Sequence, residues 1–76
     1  KNVEVSIVFI ETPENIVRIN FRSRGVVDVN ALAKKFGGGG HVPAAGARVQ
    51  GKLDEVVEHV LDISKRYILA NYSKTY

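Results

Sequence analysis

Chemistry in this chain concentrates where four glycines run into a histidine: Gly37-Gly38-Gly39-Gly40-His41-Val42-Pro43-Ala44-Ala45-Gly46. Glycine has no side chain to pack and loses the most backbone freedom on folding, so a run of four adds nothing to stability by itself. Such residues are useful where the backbone turns with positive φ or where another group must come close, and a ligand is the commonest such group. Imidazole can donate, accept or carry charge near neutral pH. Bare amides beside His41 are therefore expected to receive an anion, with phosphate the leading choice. A flexible linker is the competing reading. Linkers usually mix glycine with serine or other polar residues, whereas here the flanks read as one continuous domain.

The basic residues gather around the same stretch. Between Asn15 and Lys52 lie Arg18, Arg22, Arg24, Lys34, Lys35, Arg48 and Lys52, opposed only by Asp28, while the rest of the chain is net acidic. Positive charge beside amide-rich backbone suits a polyanion. Arg22, Ser23 and Arg24 add two guanidinium forks that match phosphate geometry; a solvated strand end is the plain alternative. The glycines do not make a P-loop, because they follow a helix instead of preceding one and no Lys-Ser or Lys-Thr pair comes after them. Catalytic groups are scarce. There is no cysteine, no His–carboxylate cluster has metal-ligand spacing, and no serine has a base at a recognisable spacing. Asp28 is expected to be spent as a helix cap, and His59 reads as a surface residue. The chain looks equipped to bind and poorly equipped to catalyse.

The elements that must position these groups fit one small domain of 76 residues, 45% hydrophobic. Val3 to Ile10 reads as a strand, apolar at Val3, Val5, Ile7 and Phe9. Thr12-Pro13-Glu14-Asn15 is turn chemistry. Ile16 to Ser23 is a second strand, alternating Val17, Ile19 and Phe21 with Arg18, Asn20 and Arg22, so the pair is an antiparallel hairpin. Asp28 caps a helix whose Val29, Leu32, Ala33 and Phe36 fall on one stripe, and Gly37 ends it. Ala44 to Gln50 is a third strand. A second helix spans about Lys52 to Asn71, with Leu53, Val56, Val57, Val60, Leu61, Ser64, Tyr67 and Ile68 as its stripe, and Tyr72 to Tyr76 form a frayed tail. The expected fold class is α+β, a β-β-α-β-α domain with a mostly antiparallel three-stranded sheet and two helices on one face. The other face, with Arg18, Asn20, Arg22, Arg48 and Gln50, is left polar. No apolar run reaches membrane-spanning length and no signal peptide is visible, which with the missing cysteines points to a cytoplasmic setting. With no initiator methionine and no other methionine, the chain is expected to be a piece of a larger protein.

Phe21-Arg22-Ser23-Arg24, Asp28-Val29-Asn30, Gly37-Gly38-Gly39-Gly40-His41 and Ala44-Ala45-Gly46, in that order, resemble the DHH-associated C-terminal domain of the DHH phosphoesterases over about residues 3 to 68. Within that superfamily the chain looks most like the oligoribonuclease and adenosine-bisphosphate phosphatase group and the related cyclic-dinucleotide phosphodiesterases. The resemblance implies that residues 1–76 are the substrate-binding lobe, without the DHH domain that holds two manganese ions and performs hydrolysis. It implies that Gly38, Gly39, Gly40 and His41 contact the phosphate or terminal nucleotide, with Arg22, Ser23 and Arg24 nearby. Expected partners are short RNA, a dinucleotide or adenosine bisphosphate, and the catalytic DHH domain of the same chain. No catalytic residue and no metal ligand are expected within this piece. Two other readings compete: a stand-alone module gripping single strands or tRNA, and a homodimerisation domain pairing through an exposed sheet edge.

Overall fold

The computed structural model describes residues 4–72. Strands β1 (Val5–Glu11) and β2 (Ile16–Ser23) are followed by helix α1 (Val29–Lys34), strands β3 (Gly39–His41) and β4 (Ala44–Gln50), and helix α2 (Leu53–Tyr72). The sheet has four strands in the order β1-β2-β4-β3, and each neighbouring pair is antiparallel. It is an α+β fold, as the alternation of residues predicts, with one strand more than the three expected. The extra strand is β3. Three residues of the glycine run and its histidine carry no apolar–polar alternation, so nothing in their side chains marks a strand; backbone pairing with β4 makes one.

Alternation decides which face is covered. Val17, Ile19 and Phe21 are fully or almost fully buried, and form one core with Val27, Val29, Leu32 and Ala33 of α1 and its approach and Val56 and Val60 of α2. Phe36 stacks on Phe21 with ring centroids 6.0 Å apart, and the edge of exposed His59 meets Phe36. Leu61, expected in the α2 stripe, is 47% exposed, while Ser64 is buried. The β1–β2 connection is the four-residue loop Thr12–Asn15, closed by the Thr12 amide donating to the Ile16 carbonyl (3.0 Å). Asn15 takes the left-handed conformation there (φ 61°), which asparagine tolerates better than most residues.

The start of α1 is tied down from three directions. Asp28 caps it, accepting from the Ala31 amide at 3.1 Å. The Val29 amide donates to the Val42 carbonyl and the Ser23 amide to the Pro43 carbonyl, so the β3–β4 turn is clamped to both α1 and the end of β2. The far end of α2 adds the third tie. Tyr67 donates to the Asp28 carbonyl at 2.9 Å, and the Asp28 amide donates to the Tyr72 hydroxyl at 2.9 Å. Tyr72 is thus the last turn of a helix holding the cap, where a frayed end was expected; residues 73–76 of the expected tail lie outside the described residues. Burial is the main reason the Tyr67 hydroxyl is pushed up from 10.0 to about 12, with the Tyr72 hydroxyl and the Asp28 charge adding to it. Among the described residues, no helix is long and apolar enough to cross a membrane.

Candidate functional site

The glycine run divides its labour between fold and surface. Gly37 stands just past the end of α1 in the left-handed region (φ 80°), where a glycine is the usual terminator. A Cβ on Gly38 would lie 2.0 Å from the Gly46 carbonyl oxygen and 2.7 Å from the Ala47 Cα. One on Gly40 would lie 2.6 Å from both the Ala44 carbonyl oxygen and the Ala45 Cα. These two positions are bare because the main chain of β4 occupies the space. Gly39 is different: its Cβ would meet Asn30 Oδ1 at an ordinary 3.4 Å.

The amides are engaged as well. Gly37 donates to the Lys34 carbonyl, Gly38 to the Ala33 carbonyl, and Gly40 to Asn30 Oδ1 at 2.8 Å. Gly39 and His41 pair with Gly46 and Ala44 in the β3–β4 ladder. The expectation that the run offers a nest of free amides is therefore corrected: its donors are consumed inside the domain, those of Gly37 and Gly38 by carbonyls at the end of α1, that of Gly39 by the ladder with β4 and that of Gly40 by Asn30. What it presents outward is a low surface at Gly39 and the imidazole of His41.

Strand register assembles the rest. The Ser23 amide bonds Pro43 and the Gly51 amide bonds Asn15, each at 2.9 Å. Odd-numbered residues of β2 thus occupy the hydrogen-bonded pairs with β4. Arg18, Asn20 and Arg22 occupy the pairs between, where opposing side chains come closest. Arg22 lies opposite Ala44, which lies opposite His41, and Ser6 lies on the other side of Arg22. These residues form one row across the uncovered face of the sheet. Arg22 and His41 are both exposed and two strand spacings apart, roughly 10 Å, with only an alanine methyl between them. The next row is Val8, Asn20, Gly46 and Gly39, and its two facing glycines leave a shallow floor.

Ser23 and Arg24 have other engagements. The Ser23 hydroxyl donates to the Val27 carbonyl at 2.7 Å and accepts from the Gly25 amide at 3.1 Å, which shapes the turn leaving β2. Arg24 lies past the end of the strand, in an ion pair of 2.6 Å with Glu4 in which both side chains are mostly exposed; such pairs contribute little. Arg22, Ser23 and Arg24 nevertheless line one open depression of about 460 Å³ together with Glu4, Val5 and Ser6. Asn30 was not singled out as a site residue by its type, yet it positions Gly40. The hints in the sequence are its place two residues after a cap and its membership of the Asp28-Val29-Asn30 run that carries the family resemblance. Among the described residues no group of three His, Cys, Asp or Glu side chains stands together, so this donor set does not fit a pair of manganese ions.

The DHHA1 domain model matches residues 1–69. The chain belongs to the DHHA1 family. This DHHA1 domain is 50% identical over 56 residues to the bifunctional oligoribonuclease and PAP phosphatase NrnA of Thermus thermophilus, an alignment covering 72% of the chain and 17% of that protein. It is 43% identical over 58 residues to the NrnA of Mycoplasma pneumoniae, covering 76% of the chain and 17% of the relative. With the NrnA of Bacillus subtilis it shares 45% identity over 42 residues, 55% of the chain and 13% of the relative. The chain thus spans about a sixth of the length of the curated relatives it matches.

Proposed function

We propose that this DHHA1 domain is the substrate-holding lobe of a phosphoesterase that acts on short oligoribonucleotides or related nucleotides such as adenosine bisphosphate. The observation that carries the reading is the row Arg22–Ala44–His41 on the uncovered sheet face, beside the glycine floor of Gly39 and Gly46. A guanidinium and an imidazole flanking a methyl-sized gap can hold one phosphate between them. The floor lets a ribose or base lie against main chain. Arg24 lends charge at the rim, Ser23 holds the turn that aims Arg22, and Gly38 and Gly40 keep β3 close enough to β4 for His41 to stand in the row. Relatives named as oligoribonuclease and PAP phosphatase support the substrate class. Hydrolysis, with the manganese it would use, is assigned to the DHH part of the parent protein, because a clamp and a metal site are separate requirements of phosphoryl transfer.

The test is an NMR titration of the chain with adenosine 3′,5′-bisphosphate to millimolar concentration. Amides of residues 38–41 and Arg22 are expected to shift, and His41→Ala to abolish the response. Silence at those amides in the unsubstituted chain refutes the reading. The chain with added manganese is expected to release no phosphate from the same ligand; robust turnover would overturn the division of labour.

A further inference from the structure

We propose that Arg18 and Arg48 form a second phosphate site at the other end of the uncovered sheet face, so that the domain holds a nucleotide chain lengthwise along β2 and β4; this rests on the phosphate reading of the Arg22–His41 row. The two arginines are direct cross-strand partners in one of the pairs where side chains approach closest. Both are exposed. Like charges placed opposite each other in a sheet oppose its pairing. Among the described residues no carboxylate bridges either one, since the ion pairs found are Arg24–Glu4 and Arg66–Asp62. A phosphate between the two forks removes that repulsion and matches their geometry.

The surroundings suit a chain more than an isolated ion. An open depression of about 340 Å³ is lined by Arg18, Asn20, Gly37, Gly38, Gly46 and Arg48. β3 pairs with β4 only as far as Gly46, so the Arg48 main chain, turned toward that edge by the alternation of the ladder, adds a donor beside the guanidinium. From this row to the Arg22 row is four residues of strand, roughly 13 Å. Between them lie Asn20 and the glycine floor, with no bulky side chain on the β3–β4 half of the face to block a passing nucleoside. The domain should therefore prefer ligands with two or more phosphates spaced along a backbone over a mononucleotide.

The deciding experiment measures affinity for adenosine 5′-monophosphate and for the 5′-phosphorylated trinucleotide of adenosine, across a salt series. It uses the unsubstituted chain, the double variant Arg18→Gln/Arg48→Gln, and His41→Ala. The trinucleotide is expected to bind about tenfold more tightly than the mononucleotide. The double variant should lose that advantage, keep its mononucleotide affinity, and show a log K against log salt slope shallower by about 0.7, one single-strand phosphate neutralised. Its melting temperature should be equal or higher, which excludes misfolding as the cause. Unchanged trinucleotide affinity and slope in the double variant overturn the second site. Competition by poly-glutamate as effective as by trinucleotide overturns it in favour of an acidic protein partner. His41→Ala failing to weaken either ligand is instead the failure of the first-phosphate reading.

Discussion

Gly38→Ala and Gly39→Ala form the most informative pair of substitutions, because adjacent glycines are bare for different reasons. At Gly38 the new methyl would sit 2.0 Å from a carbonyl oxygen and 2.7 Å from a Cα of β4. Both obstacles are main chain, so no side-chain rotation relieves the clash and β3 must lift from β4. Overpacking of this sort costs about 1–3 kcal/mol, and each ladder hydrogen bond lost adds about 1 kcal/mol. With the two bonds of the Gly39–Gly46 pair lost, the sum is about 3–5 kcal/mol. A domain of 76 residues has about 4–11 kcal/mol in all. Urea unfolding followed by far-ultraviolet circular dichroism should show Gly38→Ala with a midpoint shifted down by about a quarter or more, or no cooperative transition. At Gly39 the methyl makes an ordinary contact and the φ is not positive. The variant should be as stable as the parent or about 0.4–1 kcal/mol more so, through the smaller freedom of its unfolded chain. Its ligand affinity should fall, because the methyl rises from the floor beside His41. A Gly38→Ala midpoint equal to the parent's would refute the close-packing account of the run. Full affinity in Gly39→Ala would remove Gly39 from the binding surface.

Further outcomes follow from single contacts. Ser64 is 3% exposed and its hydroxyl has no hydrogen-bond partner. Ser64→Ala should therefore stabilise by about 0.5–1 kcal/mol in the same unfolding assay; a loss would mean the hydroxyl is satisfied. Asn30→Ala removes the acceptor of the Gly40 amide. It should cost about 1 kcal/mol and speed hydrogen exchange at Gly40 while leaving Ala31, held by Asp28, protected. Tyr67 is favoured in its neutral form in the fold, its hydroxyl raised to about 12. The folded state then binds that proton more tightly than the unfolded chain does. Its stabilisation is complete below pH 10 and is lost as the pH climbs from 10 toward 12. Tyr67→Phe should lack this component of the alkaline decline in an unfolding series taken across that range.

The two helices, the first hairpin and β4 were legible because their side chains repeat at the period of their element. Leu32 and Ala33 fall on one helical stripe, and Val17, Ile19 and Phe21 on one strand face, and burial follows that pattern. The family was legible for a related reason: its signature lies in short contiguous runs that need no folding to be compared. β3 escaped because a strand made of glycine owes its existence to the partner it pairs with. The α2 end escaped likewise, since Tyr67 and Tyr72 acquire their roles only when Asp28, far off in sequence, arrives beside them.

Residue types alone marked the arginines and His41 as the groups that could meet an anion, because charge and donor chemistry belong to side chains wherever they end up. Geometry in three dimensions decided which of them act together. Register, fixed by the burial of alternate β2 residues, sets Arg22 in line with His41 and Arg18 against Arg48. The amides of the glycine run go to the α1 carbonyls, to Asn30 and to β4, and the last two are bonds between separate segments, so no reading of the run by itself could tell where those amides would point.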